Sequence, residues 1–208
     1  STLMRSSAAS DVYKRQVLMS VYKKENPEYL RASLESILVQ TRTADEILLI
    51  EDGPLTQELY QVVAEDQKKC DYLHVHAMEQ NVQLGRALAK GVELCQYDLI
   101  ARMDTDDIAM PDRLEKEGAY MEAHPEVDVV GGAIREFNDE GTIDRVKNMP
   151  KTQEEILEYV KVRNPLNHMT VMYRKDSILK AGNYKHFPFL EDYSLSVSYT
   201  HLTLPTIA

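Results

Sequence analysis

The sequence predicts an α/β fold built on a mostly parallel sheet. Three observations carry that reading. Short apolar runs recur at 17–21, 46–50, 72–76, 99–103 and 127–130. Segments with apolar residues at helical spacing separate them, and polar turns close several of the runs. Apolar runs of this length, bounded by turn residues, read as buried strands. Strands alternating with helices pair in parallel through right-handed crossovers.

Each element has its own signal. Val17–Val21 is the first strand. Asn26 is a helix cap with Pro27 at the first helical position, where a missing N–H costs nothing. Leu30, Leu34, Ile37 and Leu38 then recur along one helix face. Glu46–Ile50 is a second strand, ended by Glu51-Asp52-Gly53-Pro54, and a helix follows over Gln57–Lys69. Tyr72–His76 is a third strand. Asn81–Gly85 is a turn and Arg86–Cys95 a helix. Leu99–Met103 is a fourth strand that runs into Asp104-Thr105-Asp106-Asp107. Pro111 opens a helix to about Ala123, and Val127–Val130 is a strand before Gly131-Gly132. Arg135–Pro150 is polar and reads as irregular or a hairpin. Thr152 with Glu155 is a capping box for a helix over Gln153–Val162. Thr170–Tyr173 is a strand, and Asp176–Ala181 a short helix stopped by Gly182.

A chain of 208 residues, 43% hydrophobic, can bury the core of one domain. Its net charge of -10 argues against nucleic acid as a partner. Cys70 and Cys95 have neither metal-ligand spacing nor a disulfide framework. They read as reduced thiols of a cytoplasmic protein, with a periplasmic one as the alternative. No apolar run reaches the roughly 20 residues of a membrane helix. The two ends read as foreign. Asp11–Gln16 can be encoded by GATGTGTATAAGAGACAG, and its reverse complement in another frame gives the Val-Ser-Tyr-Thr-His of 197–201. Residues 1–16 and 196–208 are therefore expected to be non-native tails around a domain at 17–195, cut short at its C-terminal side.

Asp104, Asp106 and Asp107 put three acids within four residues. Such carboxylates repel one another unless a cation joins them. Their oxygens suit a hard ion such as Mg2+ or Mn2+. A solvated acidic turn satisfies the same pattern. In open parallel sheets, ligands bind beyond the carboxyl ends of the strands. Both acidic turns, Glu51-Asp52 and Asp104–Asp107, are expected at that edge. The first strand lacks a dinucleotide glycine fingerprint, since its turn reads Tyr22-Lys23-Lys24-Glu25, and there is no P-loop.

Five features stand in one order: Met19-Ser20-Val21-Tyr22, Glu51-Asp52-Gly53, Asn81-Val82-Gln83-Leu84-Gly85-Arg86-Ala87, Asp104–Asp107 and Glu191-Asp192. Together they resemble a family-2 inverting glycosyltransferase of the bacterial capsule, lipopolysaccharide or exopolysaccharide type. The resemblance spans Val17–Leu195. It implies a GT-A fold with a Rossmann-like, mostly parallel sheet. The implied activity is transfer of a hexose or N-acetylhexosamine from a nucleotide sugar, UDP-linked, to a hydroxyl of a lipid-linked glycan precursor. The enzyme would work at the inner membrane face, in peripheral contact through the missing C-terminal region.

The resemblance also implies roles. Ser20, Val21 and Tyr22 would hold the nucleotide base, although Tyr22 equally suits a core tyrosine. Asp52 would accept from uracil N3–H, or be a turn acid before Gly53. Arg86 would reach a phosphate, or be a solvated helix arginine. Asp106 is the expected metal ligand. Asp104 is its sugar-side partner and second ligand, and Asp107 a support or helix cap. Arg102 would orient the cluster, and Arg113 would pair with one of its acids. Asp192 is the expected general base, with Glu191 as neighbour, or else the two are a capping pair before a helix. His168, within Asn164-Pro165-Leu166-Asn167-His168, would meet the leaving diphosphate or the metal, or else be a core histidine. Gly131-Gly132 would border the sugar pocket. Two departures stand out: Glu51 replaces the frequent aspartate, and Gln83 the usual glycine. A nucleotidyltransferase, or an inactive fragment that binds UDP and metal, are the alternatives.

Overall fold

The computed structural model describes residues 13–138, 143–185, 187, 191, 195 and 206–207. Among these, the strands are β1 (Arg15–Val21), β2 (Glu46–Glu51), β3 (Leu73–Ala77), β4 (Leu99–Arg102), β5 (Val129–Gly132), β6 (Ile134–Phe137), β7 (Ile143–Lys147), β8 (Met172–Arg174) and β9 (Thr206–Ile207). The helices are α1 (Pro27–Leu38), α2 (Gln57–Lys69), α3 (Leu84–Leu94), α4 (Arg113–Ala123), α5 (Gln153–Tyr159) and α6 (Lys175–Lys180). The main sheet has the order β3-β2-β1-β4-β8-β5-β9, and β6 and β7 form a separate hairpin. β3, β2, β1 and β4 are mutually parallel. β8 runs antiparallel between β4 and β5.

Strand alternation sorts the core into two layers. Val17, Met19 and Val21 of β1, with Ile47 and Leu49 of β2, face one way and meet Leu30, Leu34, Leu59 and Leu114. Leu18, Leu48 and Ile50 face the other way and meet Ala87, Leu88 and Val92 of α3. A side-chain period of two delivers this split from continuous apolar runs. Gly91 lets α3 approach closely, since a Cβ there would stand 2.4 Å from Leu18 Cδ1.

The expected caps form. Asn26 accepts from the Glu28 N–H at 2.9 Å, and Thr152 with Glu155 closes its capping box. Several boundaries move. β1 takes in Arg15 and Gln16, which the sequence places in the N-terminal tail. The Arg15 N–H donates to Asp45 at 2.9 Å, and its guanidinium pairs with Glu122. The helix expected from Pro111 starts two residues later with Asp112 as flanking residue, so Asp107 is not the cap of that helix. The expected strand at 170–173 is a 3-10 turn, His168–Thr170, followed by β8. The 135–150 stretch resolves to the β6–β7 hairpin.

The topology has one outcome for function. The carboxyl ends of β1, β2, β4 and β5 reach the same sheet edge, and antiparallel β8 begins there. The turn at 167–171 is thereby brought beside the acidic motif that follows β4.

Candidate active site

The turn after β1 and the motif after β4 are bonded together. The Thr105 hydroxyl donates to Glu25 Oε2 at 2.6 Å, and the Ser33 hydroxyl donates to the Asp104 carbonyl at 2.8 Å. Ser33 and Thr105 are buried, so these bonds are shielded from water. They hold the backbone of the acidic loop from the α1 side. Tyr22, at 44% exposure, is not a core tyrosine and presents its ring at this edge. Val21 is fully buried, and its carbonyl accepts the Asp52 N–H at 2.8 Å. It therefore offers no side chain to a ligand. Ser20 is half-buried beside it.

Asp52 is buried at the end of β2, and its carboxylate is engaged from both sides. Oδ1 accepts the Val82 N–H at 2.6 Å and Oδ2 accepts the Asn81 amide at 2.9 Å. Burial pushes its pKa up, while N–H groups of Val82 and Gln83 pull it back. Burial likewise raises Glu51. Gly53 makes the approach of Asn81 possible. It holds φ at 84°, and a Cβ would stand 2.5 Å from the Asn81 nitrogen. Gln83 takes φ 74° and ψ 155° with no cap bond from its side chain. The loop keeps a glycine-type backbone at this position without glycine. Arg86, one turn on, is exposed.

Arg102 lies at the end of β4, 1% exposed, and its guanidinium pairs with Asp104. A buried cation needs such a partner, because desolvation outweighs any unpaired charge's benefit. Arg113 does not pair with the acidic motif. Its guanidinium bonds Glu117 at 3.0 Å and donates to the carbonyl of Arg102 at 2.8 Å, pinning the strand end from behind. Burial pushes the Glu117 carboxyl up to about 7, against the pull of Arg113.

Asp106 is exposed. Burial of its surroundings raises its pKa, and Asp104 and Glu25 add like charge. Asp107 is raised to about 6 by burial, then by Asp104 and Asp106. Repulsion persists because Arg102 and Arg113 offset only part of the charge. Among the described residues, no three His, Cys, Asp or Glu side chains close into a metal cage. The donor set still fits a hard divalent ion. Such ions use one or two carboxylates and take their remaining oxygens from phosphates and water.

His168 sits behind the motif, not open to it. It is buried, its Nε2 is 2.7 Å from the Tyr184 hydroxyl, and the two rings meet edge-on at 5.3 Å. Burial and the nearby Arg102 push its pKa down to about 3, so the ring is neutral. Asn167 donates to the Gly132 carbonyl at 3.1 Å, and the Gly132 N–H donates to the Thr170 hydroxyl at 2.9 Å. The glycine pair is thus tied to the 3-10 turn. Glu191 is buried, with its stem over Gly85. Asp192 lies outside the described residues. The structure brings Tyr22, Asp52, Asp104, Asp106 and the 167–170 turn to one edge of the sheet. Sequence reading passed over Glu25, Ser33, Thr105 and Tyr184. Only Glu25, four residues past Val21 at the same edge, had a local signal.

The glycosyl transferase family 2 profile matches residues 16–184. The amylovoran biosynthesis glycosyltransferase AmsE of Erwinia amylovora is 45% identical over 179 residues, which are 86% of this chain and 66% of that protein. A UDP-Gal:alpha-D-GlcNAc-diphosphoundecaprenol beta-1,3-galactosyltransferase of Escherichia coli is 34% identical over 193 residues, 90% of this chain and 68% of its own length. The chain thus spans about two thirds of the length of these relatives. S. aureus TarS in complex with UDP-GlcNAc superposes with a TM-score of 0.74 at 17% identity, over 93% of this chain and 56% of that one. A Pyrobaculum calidifontis mannosyltransferase with GDP-Man and Mn2+ gives 0.70 at 12%, over 94% and 55%. These two likenesses show a shared GT-A type fold.

Proposed function

We propose that this chain, which belongs to glycosyl transferase family 2, transfers a hexose or N-acetylhexosamine from a UDP-sugar to a hydroxyl of a lipid-linked glycan precursor, with inversion. The observation that carries the reading is the convergence of Asp52, Tyr22 and the Asp104–Asp106 motif on one sheet edge, where Thr105 bonds Glu25 of the turn after β1 and Asn81 bonds Asp52. The relatives support the substrate class. One is named for a UDP-galactose donor and a diphosphoundecaprenol acceptor, and a structural neighbour is a complex with UDP-GlcNAc.

In this reading Tyr22 packs on the base face, and Asp52, held by Asn81 and Val82, accepts from uracil N3–H. Arg86, exposed in the first turn of α3, would meet a phosphate bidentately. Asp106, with Asp104, would hold Mg2+ or Mn2+, which would supply charge neutralisation for the departing diphosphate. Arg102 orients Asp104 through their ion pair. The acceptor oxygen attacks the anomeric carbon from the face opposite UDP. The bond from that carbon to the β-phosphate oxygen breaks, and its electron pair leaves with UDP. The acceptor proton passes to the Asp192 carboxylate. Among the described residues no helix is long and apolar enough to cross a membrane. We place the enzyme in the cytoplasm, meeting the lipid-linked acceptor at the membrane surface.

Calorimetry of UDP with and without Mn2+ tests the donor half. Binding should require the ion and weaken at least about tenfold in Asp106→Ala. Metal-independent binding that ignores the substitution would sink the metal role. Transfer from UDP-Gal or UDP-GlcNAc to a GlcNAc-diphosphate lipid, with the product anomer read by NMR, tests the rest. Undiminished transfer by Asp192→Asn would remove the base. UDP and Mn2+ binding without transfer would mean that the chain carries the donor half alone.

A further inference from the structure

We propose that the first turn of α3 is the seat of Lys185 and Glu191, with Gly85 and Tyr184 as the positioning residues. Gly85 is the second residue of α3. A Cβ there would stand 2.7 Å from Glu191 Cγ and 2.8 Å from the Lys185 carbonyl oxygen. Real side chains do not approach so closely. The missing methyl is what lets two points of the later segment, one of them backbone, rest on the helix.

The approach to that seat is fixed at its other end. α6 stops where Gly182 and Asn183 take φ values of 98° and 57°. A left-handed pair of this kind ends a helix and redirects the chain. The Asn183 amide then donates to the Ala89 carbonyl at 3.1 Å, one turn along α3 from Gly85. The Tyr184 N–H donates to Asn183 Oδ1 at 2.8 Å, and its buried hydroxyl meets His168. Leu195, four residues past Glu191, joins the core cluster that holds Ala87 and Leu88 of α3. Glu191 and Leu195 are both buried.

The same stretch meets the donor side. Asn81 and Val82 grip Asp52, and Gly85 carries Glu191. The five residues from Asn81 to Gly85 thus link the acid assigned to the base of the nucleotide with Glu191. His168, through Tyr184, is part of the seat and needs no contact with substrate. The consequence for turnover rests on the proposed role of Asp192; the seating itself does not.

Hydrogen exchange of the 208-residue chain, read by mass spectrometry, tests this. In Gly85→Ala, exchange across 184–195 should accelerate about tenfold or more, while peptides of β1 and β2 stay protected. Tyr184→Phe should show the same pattern more weakly. Lys90→Ala, a change at a half-buried position on the same helix, should not show it. Mn2+-dependent UDP affinity should stay within about twofold in Gly85→Ala, with any transfer activity lost in kcat and not in donor KM. Unchanged exchange across 184–195 in both Gly85→Ala and Tyr184→Phe would overturn the seat. An equal effect in Lys90→Ala, or loss of UDP binding together with exchange protection, would do the same. If Gly85→Ala does not fold, Tyr184→Phe decides alone. Full transfer by Asp192→Asn, with exchange still altered in Gly85→Ala, would remove the base and leave the seat standing.

Discussion

Replacing Gln83 with glycine should stabilise the chain. Gln83 holds φ 74° and ψ 155°, a region that side chains avoid because Cβ crowds the backbone. Strain there is on the order of 1–3 kcal/mol. Glycine removes it but adds freedom to the unfolded chain, at about 0.5–1 kcal/mol. The Gln83 side chain is exposed and makes no capping bond, so little packing is lost. The balance is a gain of about 1 kcal/mol, or roughly 2–4 °C in Tm for a chain of this size. Urea unfolding at pH 7 reads it as a higher midpoint with an unchanged slope. Gln83→Val, with a stiffer side chain, should shift the midpoint the other way. An unchanged or lower midpoint for Gln83→Gly would refute the strain argument.

Gly53→Ala should destabilise by at least about 1–3 kcal/mol, because φ is positive and Asn81 stands against the new methyl; urea melts check it. Thr105→Val should cost about 1.5–3 kcal/mol, the range for a bond to a charged acceptor, and weaken Mn2+-dependent UDP binding in calorimetry. Glu117 titrates near 7 folded and near its ordinary 4.5 unfolded, so between these values the folded state holds more protons. Stability should therefore fall as pH rises from about 4.5 to 7. Glu117→Gln should flatten that slope by up to about 1.4 kcal/mol per pH unit, read from urea midpoints at pH 5, 6 and 7.

What was legible in the sequence was local. Val17–Val21 and Glu46–Ile50 announce buried strands by composition. Asn26-Pro27 and Thr152 with Glu155 mark helix starts through bonds that span two to four residues. The acidic motif after β4 is readable because clustered like charge is costly without a purpose. What escaped depends on sequence separation. No local pattern says that β8 lies antiparallel between β4 and β5, because strand order is decided by global packing. The Thr105–Glu25 bond spans 80 residues. The fit of Glu191 over Gly85 spans still more, and no local signal marks it. His168 illustrates the limit well. Its residue type suggested a ligand group, but burial beside Arg102 makes it a neutral partner of Tyr184.

The place of β8 also imposes an order on synthesis. β4 and β5 share no ladder of their own; each pairs with β8. Some 40 residues separate Gly132 from Met172. A ribosome adding about 5–20 residues per second takes roughly 2–8 s over them. During that interval β1–β4 can pair, but the open edge of β4 has no partner in the nascent chain. An unpaired, apolar strand edge is a template for another chain. The hairpin and α5, which emerge in that interval, lengthen the wait, so this gap is where the growing polypeptide most needs shielding.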